Sequence, residues 1–255
     1  GSDNTSIDGA GGSLTVNSTW SVDDNSIDYG PTSTTPTTVT ISSTGSLIHT
    51  PGSGNPVVDV PLTVNGTLTN NGSGTWTIDS SNGDDEDCGA TLDCATTIGS
   101  GATVNANSGT TRFANLTNTG AWAAGEPTSG DLPTSNTLTG GIWNVTGTLQ
   151  VPTAGTAAPN LGIEHLDAPL SISGAGKVQY YQEENSGATG TGLGYLQTID
   201  SPGSLVLTNA SAFNGAGSNT DYTALTTIDG LLQLDGTSVL SNGNGPASGT
   251  TLDAS

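Results

Sequence analysis

The sequence predicts an all-β protein wound as a right-handed parallel β-helix, a β-solenoid of about ten coils with irregular loop insertions. Three observations carry that expectation. Apolar and polar residues alternate with period two over Leu14 to Val22, Leu62 to Thr69 and Trp143 to Val151, which puts Leu, Val and Trp on one face of a strand and Thr, Asn and Gln on the other. Such blocks begin again after about two dozen residues, at 14, 39 and 62, at 143 and 170, and at 205 and 228, a period that fits three short strands and three corners. Finally, Gly (38), Thr (43), Ser (29) and Asn (21) make up about half of the 255 residues, with 31% hydrophobic, enough for the narrow interior of a solenoid and poor material for a helix bundle.

Along the chain, the strands expected in order are Leu14 to Val22, Val39 to Ile41, Leu62 to Thr69, Trp76 to Ile78, Trp143 to Val151, Leu170 to Ile172, Leu205 to Leu207 and Ile228 to Leu234. The buried positions should include Leu14, Val16, Val39, Ile41, Leu62, Val64, Trp143, Val145, Leu170, Ile172, Leu205 and Leu207. Asn-Gly and Asp-Gly pairs at 65, 71, 82, 229, 235 and 242 mark turns. Pro31 to Pro36, Pro51 to Pro61, Asn82 to Cys94, Pro152 to Pro159 and Glu183 to Gly194 read as corner loops, too polar or too rich in Gly and Pro for strands. A β-sandwich is the rival, since it too has turns every ~8–12 residues. Gly1 and Ser2 read as a cloning scar, and residues 3–255 as a single solenoid domain cut from a longer surface protein. At the ~4.8 Å strand spacing, ten coils would form a rod on the order of 50 Å long.

Leu62 to Ile78 and Leu138 to Val151 resemble the repeats of bacterial surface β-helix proteins, the autotransporter passenger domains and filamentous-haemagglutinin-like adhesins. The resemblance covers 31 residues. It implies a right-handed parallel β-helix outside the cell that mediates adhesion or aggregation, and it assigns no catalytic or binding residue.

Charge narrows the partners. Asp and Glu number 23 against Arg112 and Lys177 alone, a formal net charge of −21. Nucleic acid needs several basic side chains to neutralise phosphates, so it is excluded; anionic lipid surfaces are disfavoured for the same reason. No apolar run approaches the ~20 residues of a bilayer-spanning helix, so no membrane insertion is expected in this segment. The two cysteines, Cys88 and Cys94, are closely spaced and have no His nearby. They read as a small disulfide-closed loop in an oxidising exterior rather than a zinc site.

Few residues offer chemistry. Asp84, Asp85, Glu86 and Asp87 crowd the cysteine loop; hard oxygen ligands there make either a calcium site or a solvated acidic loop. Glu164 to Asp167 is where a His lies between carboxylates. On a strand His165 and Asp167 would share a face as an acid/base pair; in a loop they form a surface ion pair. Thr-Ile-Asp at 77, 198 and 227 puts Asp79, Asp200 and Asp229 at strand ends, where carboxylates could form a glycosidase pair if stacked within ~5–9.5 Å. Trp20, Trp76 and Trp143 follow the apolar phase and read as core. Tyr180 and Tyr181 are adjacent on a strand, so one faces outward. With Glu183 and Glu184 they form the polar-aromatic patch expected to touch a glycan or protein.

The expectation from sequence is a non-catalytic extracellular adhesin stalk or passenger segment. Its partner would be a cell-surface glycan, a protein or a second copy of itself, with calcium the one candidate cofactor. The alternative is a polysaccharide-active β-helix enzyme, lyase-like or glycosidase-like.

Overall fold

The computed structural model describes residues 5–6, 12–23, 27–28, 37–78, 96–113, 137–152, 162–182, 188–194, 196–214, 225–242 and 250–253. Every regular element among them is a β-strand, and nearly every pairing is parallel. The chain is a parallel β-helix. Each coil contributes three strands, one to each of three walls. The first wall holds Ser13–Val16, Thr38–Ile41, Leu62–Val64 and Thr96–Ile98 in one sheet. Its second sheet holds Thr137–Leu138, His165–Leu166, Thr198–Ile199 and Thr227–Ile228. The second wall is one eight-stranded sheet running from Thr19–Val22 to Leu231–Asp235. The third runs from Thr5–Ser6 to Lys177–Gln182, and after a break resumes with Ser211–Asn214 and Val239–Asn242.

Eight coils are seen among the described residues, starting at Ser13, Thr38, Leu62, Thr96, Thr137, His165, Thr198 and Thr227. The first steps keep the two-dozen-residue period. Later ones are longer because the corners carry insertions, so fewer coils form than that period alone predicts. Eight coils at the ~4.8 Å strand spacing stack to about 35 Å.

The coils stack in register, and this builds the core. On the second wall Leu47, Leu68, Val104, Trp143, Leu170 and Leu205 lie one above another, each buried. Burying side chains of this size stabilises by ~1.5–3 kcal/mol each, before the entropy of ordering them. Trp76 and Trp143 are fully buried, and Phe113 packs edge-on against Trp143 with ring centroids 5.6 Å apart. Trp20 is half-buried against the core. Outward, Asn105 Nδ2 donates to Thr69 Oγ1 at 3.2 Å and Asn144 Nδ2 donates to Asn105 Oδ1 at 2.9 Å, so polar residues also bond from coil to coil. Corners are tight: a Cβ on Gly66 would sit 2.2 Å from the Gly45 carbonyl oxygen of the coil before, so only glycine fits there.

Four expectations need correction. Leu14 to Val22, Leu62 to Thr69 and Trp143 to Val151 are not single strands: each turns a corner, at 17–18, 65–66 and 146–147, and gives a strand to each of two walls. Leu14 is 36% exposed although its strand partner Val39 is buried; among the described residues no first-wall strand stacks beyond it. Within Pro51 to Pro61, Val57–Asp59 is a third-wall strand with Val58 buried, because a neighbouring coil supplies the pairing that its prolines obscure in sequence. Within Glu183 to Gly194, Ala188–Thr191 is a strand as well, and it runs antiparallel to Lys177–Gln182. Among the described residues the first coil leaves Leu14 partly open, and the last coil Ile228 and Leu231.

Candidate functional site

Sequential coils bring together side chains that are far apart in the chain. The clearest polar cluster sits on the first wall, where His165 is in register with Thr198 and the corner residues Asp167 and Asp200 follow their strands. Thr198 Oγ1 lies 2.6 Å from Asp200 Oδ2 and 2.7 Å from His165 Nδ1. The hydroxyl has one proton and gives it to the carboxylate, so its oxygen accepts from His165 Nδ1–H, and Nε2 is the basic nitrogen of the neutral ring. His165 Nδ1 is also 3.5 Å from Asp200 Oδ2, in a pair whose side chains are 31% and 40% exposed.

The two aspartates diverge. Partial burial, the neighbouring Asp200 charge and a hydrogen bond to Asp200 push the Asp167 carboxyl up from its ordinary value, against a smaller pull from His165. The Thr198 hydroxyl, helped by bonds from His165 and Asp167, holds Asp200 below its ordinary value despite some desolvation. Asp167 Oδ1 is buried and receives no donor. The two carboxyls are thus pushed in opposite directions, Asp167 toward keeping its proton and Asp200 toward losing it. Asp229 follows Ile228, which stacks on Ile199, so it stands one coil beyond Asp200, exposed.

A second arrangement lies on the outer face of the third wall. Arg112, Gln150 and Gln179 are in register on three successive coils. Tyr181 points outward, and the Arg112 guanidinium lies 3.9 Å above its ring centroid. Tyr180 falls on the inward side in register with Val151 and is half-buried. Of the expected tyrosine patch, Tyr181 is therefore the outward member. Glu183 and Glu184 lie outside the described residues, as do Asp79, the acidic loop Asp84, Asp85, Glu86 and Asp87, and both Cys88 and Cys94. Among the described residues no group of three or more His, Cys, Asp or Glu side chains is placed to hold a metal ion.

Sequence reasoning paired His165 with Asp167 and grouped Asp200 with the other Thr-Ile-Asp motifs. The structure joins these two sets instead. It also adds Thr198, whose only signal in sequence was its place in the motif. The Arg112–Tyr181 contact spans 69 residues and has no local signature.

No family model matches the chain, and neither a curated protein nor a solved structure matches it significantly. Its function is argued from its own residues.

Proposed function

We propose that the chain is an extracellular adhesive rod, a stalk or passenger segment of a surface protein that attaches a cell to its surroundings. The observation that supports it best is the unbroken parallel stacking of eight second-wall strands. Repetition of this kind gives reach and stiffness, while the varied outer side chains and corner loops supply contacts. An acidic surface of formal charge −21 keeps such a rod soluble and apart from its copies. A Cys88–Cys94 disulfide, formed in an oxidising exterior, belongs to the same reading.

Beads coated with the chain test it. They should hold to cells or glycan-covered surfaces under flow better than beads coated with an unrelated acidic protein. Equal wash-off of the two would refute it.

A second reading, a polysaccharide-active enzyme, draws on the Asp167–Asp200 pair, whose carboxyls are pushed in opposite directions as an acid and a base require.

A further inference from the structure

Among the described residues the third wall breaks after Lys177–Gln182. Lys177–Gln182 pairs with Thr148–Pro152 on one side, but on the other with antiparallel Ala188–Thr191 rather than with the next coil's Ser211–Asn214. At the corner that feeds these strands the two coils part and leave a cleft of about 480 Å³. Ile172, Leu193 and Ala212 give it an apolar lining, and Lys177 and Gln179 line it as well. The volume lies inside the ~300–1,000 Å³ range of small-ligand sites and suits one substituted sugar ring.

Chemistry fixes the polarity of these lining groups. Arg112 can only donate, and its Nε gives a hydrogen bond to Gln150 Oε1 at 2.7 Å. That turns the Gln150 amide nitrogen toward the next coil, where it donates to Gln179 Oε1 at 3.2 Å. The oxygen of Gln179 is thereby engaged, and its NH₂ group is left to face a ligand as a pure donor. Lys177, two residues away on the same side of the strand and exposed, adds an ammonium that no described carboxylate pairs with. Both cations of a chain with formal charge −21 therefore serve one strip of its surface.

We infer that this cleft binds a single acidic sugar, such as a terminal uronic acid, with its carboxylate held by Lys177 Nζ and Gln179 Nε2. The ring lies in the mouth of the cleft beside the exposed Gly174, Ala175 and Ser211. The ligand class deepens the adhesive reading and rests on it. One carboxylate is attracted at short range, whereas a long polyanion meets the field of the remaining acidic surface, which acts over about a Debye length of ~10 Å.

Calorimetry with methyl β-glucuronide, methyl β-glucoside and acetate tests this on the whole chain. The glucuronide should bind about tenfold or more tighter than either of the others, since the site needs both charge and ring. Lys177→Gln should weaken it about tenfold or more. Arg112→Ala should weaken it too, and Arg112→Lys should restore it, because a lysine donor re-orients the same amides. Ser211→Trp, at an exposed position in the lining, should abolish binding without moving the melting temperature. Equal affinity for the glucoside or for acetate, or full affinity in Lys177→Gln, would overturn the proposal. Beads that hold to cells while the glucuronide is ignored would overturn the site and spare the adhesive reading; glucuronide binding by a chain whose beads wash off would do the reverse.

Discussion

His49 Nδ1 lies 2.8 Å from Asn70 Oδ1, one coil away, inside a column of the second wall that is otherwise Val22, Ala106, Val145, Ile172, Leu207 and Leu234. Both side chains are fully buried. Asn70 Nδ2 donates to the Thr110 carbonyl and to Thr111 Oγ1, so its oxygen receives His49 Nδ1–H and the Gly72 N–H. The imidazole also packs on Trp76, with centroids 5.6 Å apart. This cluster ties the second wall to the third through the middle of the helix.

Gly72 makes room for that ring. A Cβ there would stand 2.0 Å from His49 Cε1. Gly72→Ala should therefore cost ~1–3 kcal/mol by overpacking, and His49→Ala ~2–4 kcal/mol by leaving a cavity and a weakened Asn70. Combined, the two should cost clearly less than their sum, because the truncated ring no longer meets the new methyl. Urea unfolding of the four proteins measures the coupling; strict additivity would contradict the contact.

Neighbouring residues of one strand should respond in opposite ways. Trp143 is fully buried and its Nε1 donates to the Gly140 carbonyl at 2.8 Å, whereas Ile142 is 46% exposed. Trp143→Ala should cost ~3–5 kcal/mol, and Ile142→Ser within ~0.5 kcal/mol of nothing. Equilibrium denaturation that gave comparable losses would contradict the assignment of inward and outward faces.

The aspartate pair gives stability a signed dependence on pH. Asp167 keeps its proton longer when folded than when unfolded, so its contribution falls as pH rises from its ordinary value, 3.8, through the raised one. Asp200 loses its proton earlier when folded, so its contribution is present above 3.8 and is lost as pH falls through the lowered value. Relative to the native chain, Asp167→Asn should gain melting temperature at pH 7 compared with pH 3, and Asp200→Asn should lose it. Melts at the two pH values decide, and shifts of the same sign in both variants would contradict the opposed roles.

Much of the fold was legible because alternation is local. Val39 and Ile41, Leu62 and Val64, and Leu205 and Leu207 each declare their face within three residues, and all are buried. The cluster was less legible because it depends on register between coils. The strands that Asp167 and Asp200 follow come into register across 33 residues, a step longer than the two-dozen period, and Asp167 does not end a Thr-Ile-Asp motif. His49 gave no sign that it belongs in the core, since its partner Asn70 falls between the expected Leu62 to Thr69 strand and the Asn71–Gly72 turn. The break in the third wall was hidden for a related reason: the Gly-rich stretch at Ala188–Thr191 has no side-chain pattern, and its backbone pairing alone makes it a strand.

If the chain works outside the cell as proposed, Cys88 and Cys94 should be joined. Alkylation before reduction should add no mass, and alkylation after it should add two groups. Reduction should lower stability by roughly 2 kcal/mol in the loop-entropy account. Two thiols open to alkylation from the start would refute the bridge.

Adhesion without catalysis is the central claim, and one glycan array followed by a screen of the same saccharides for cleavage tests it most directly. The account predicts retention on the array, strongest for glycans ending in an acidic sugar, and no new reducing or unsaturated ends after prolonged incubation. Release of such ends by the native chain, abolished in Asp200→Ala or Asp229→Ala, would contradict it.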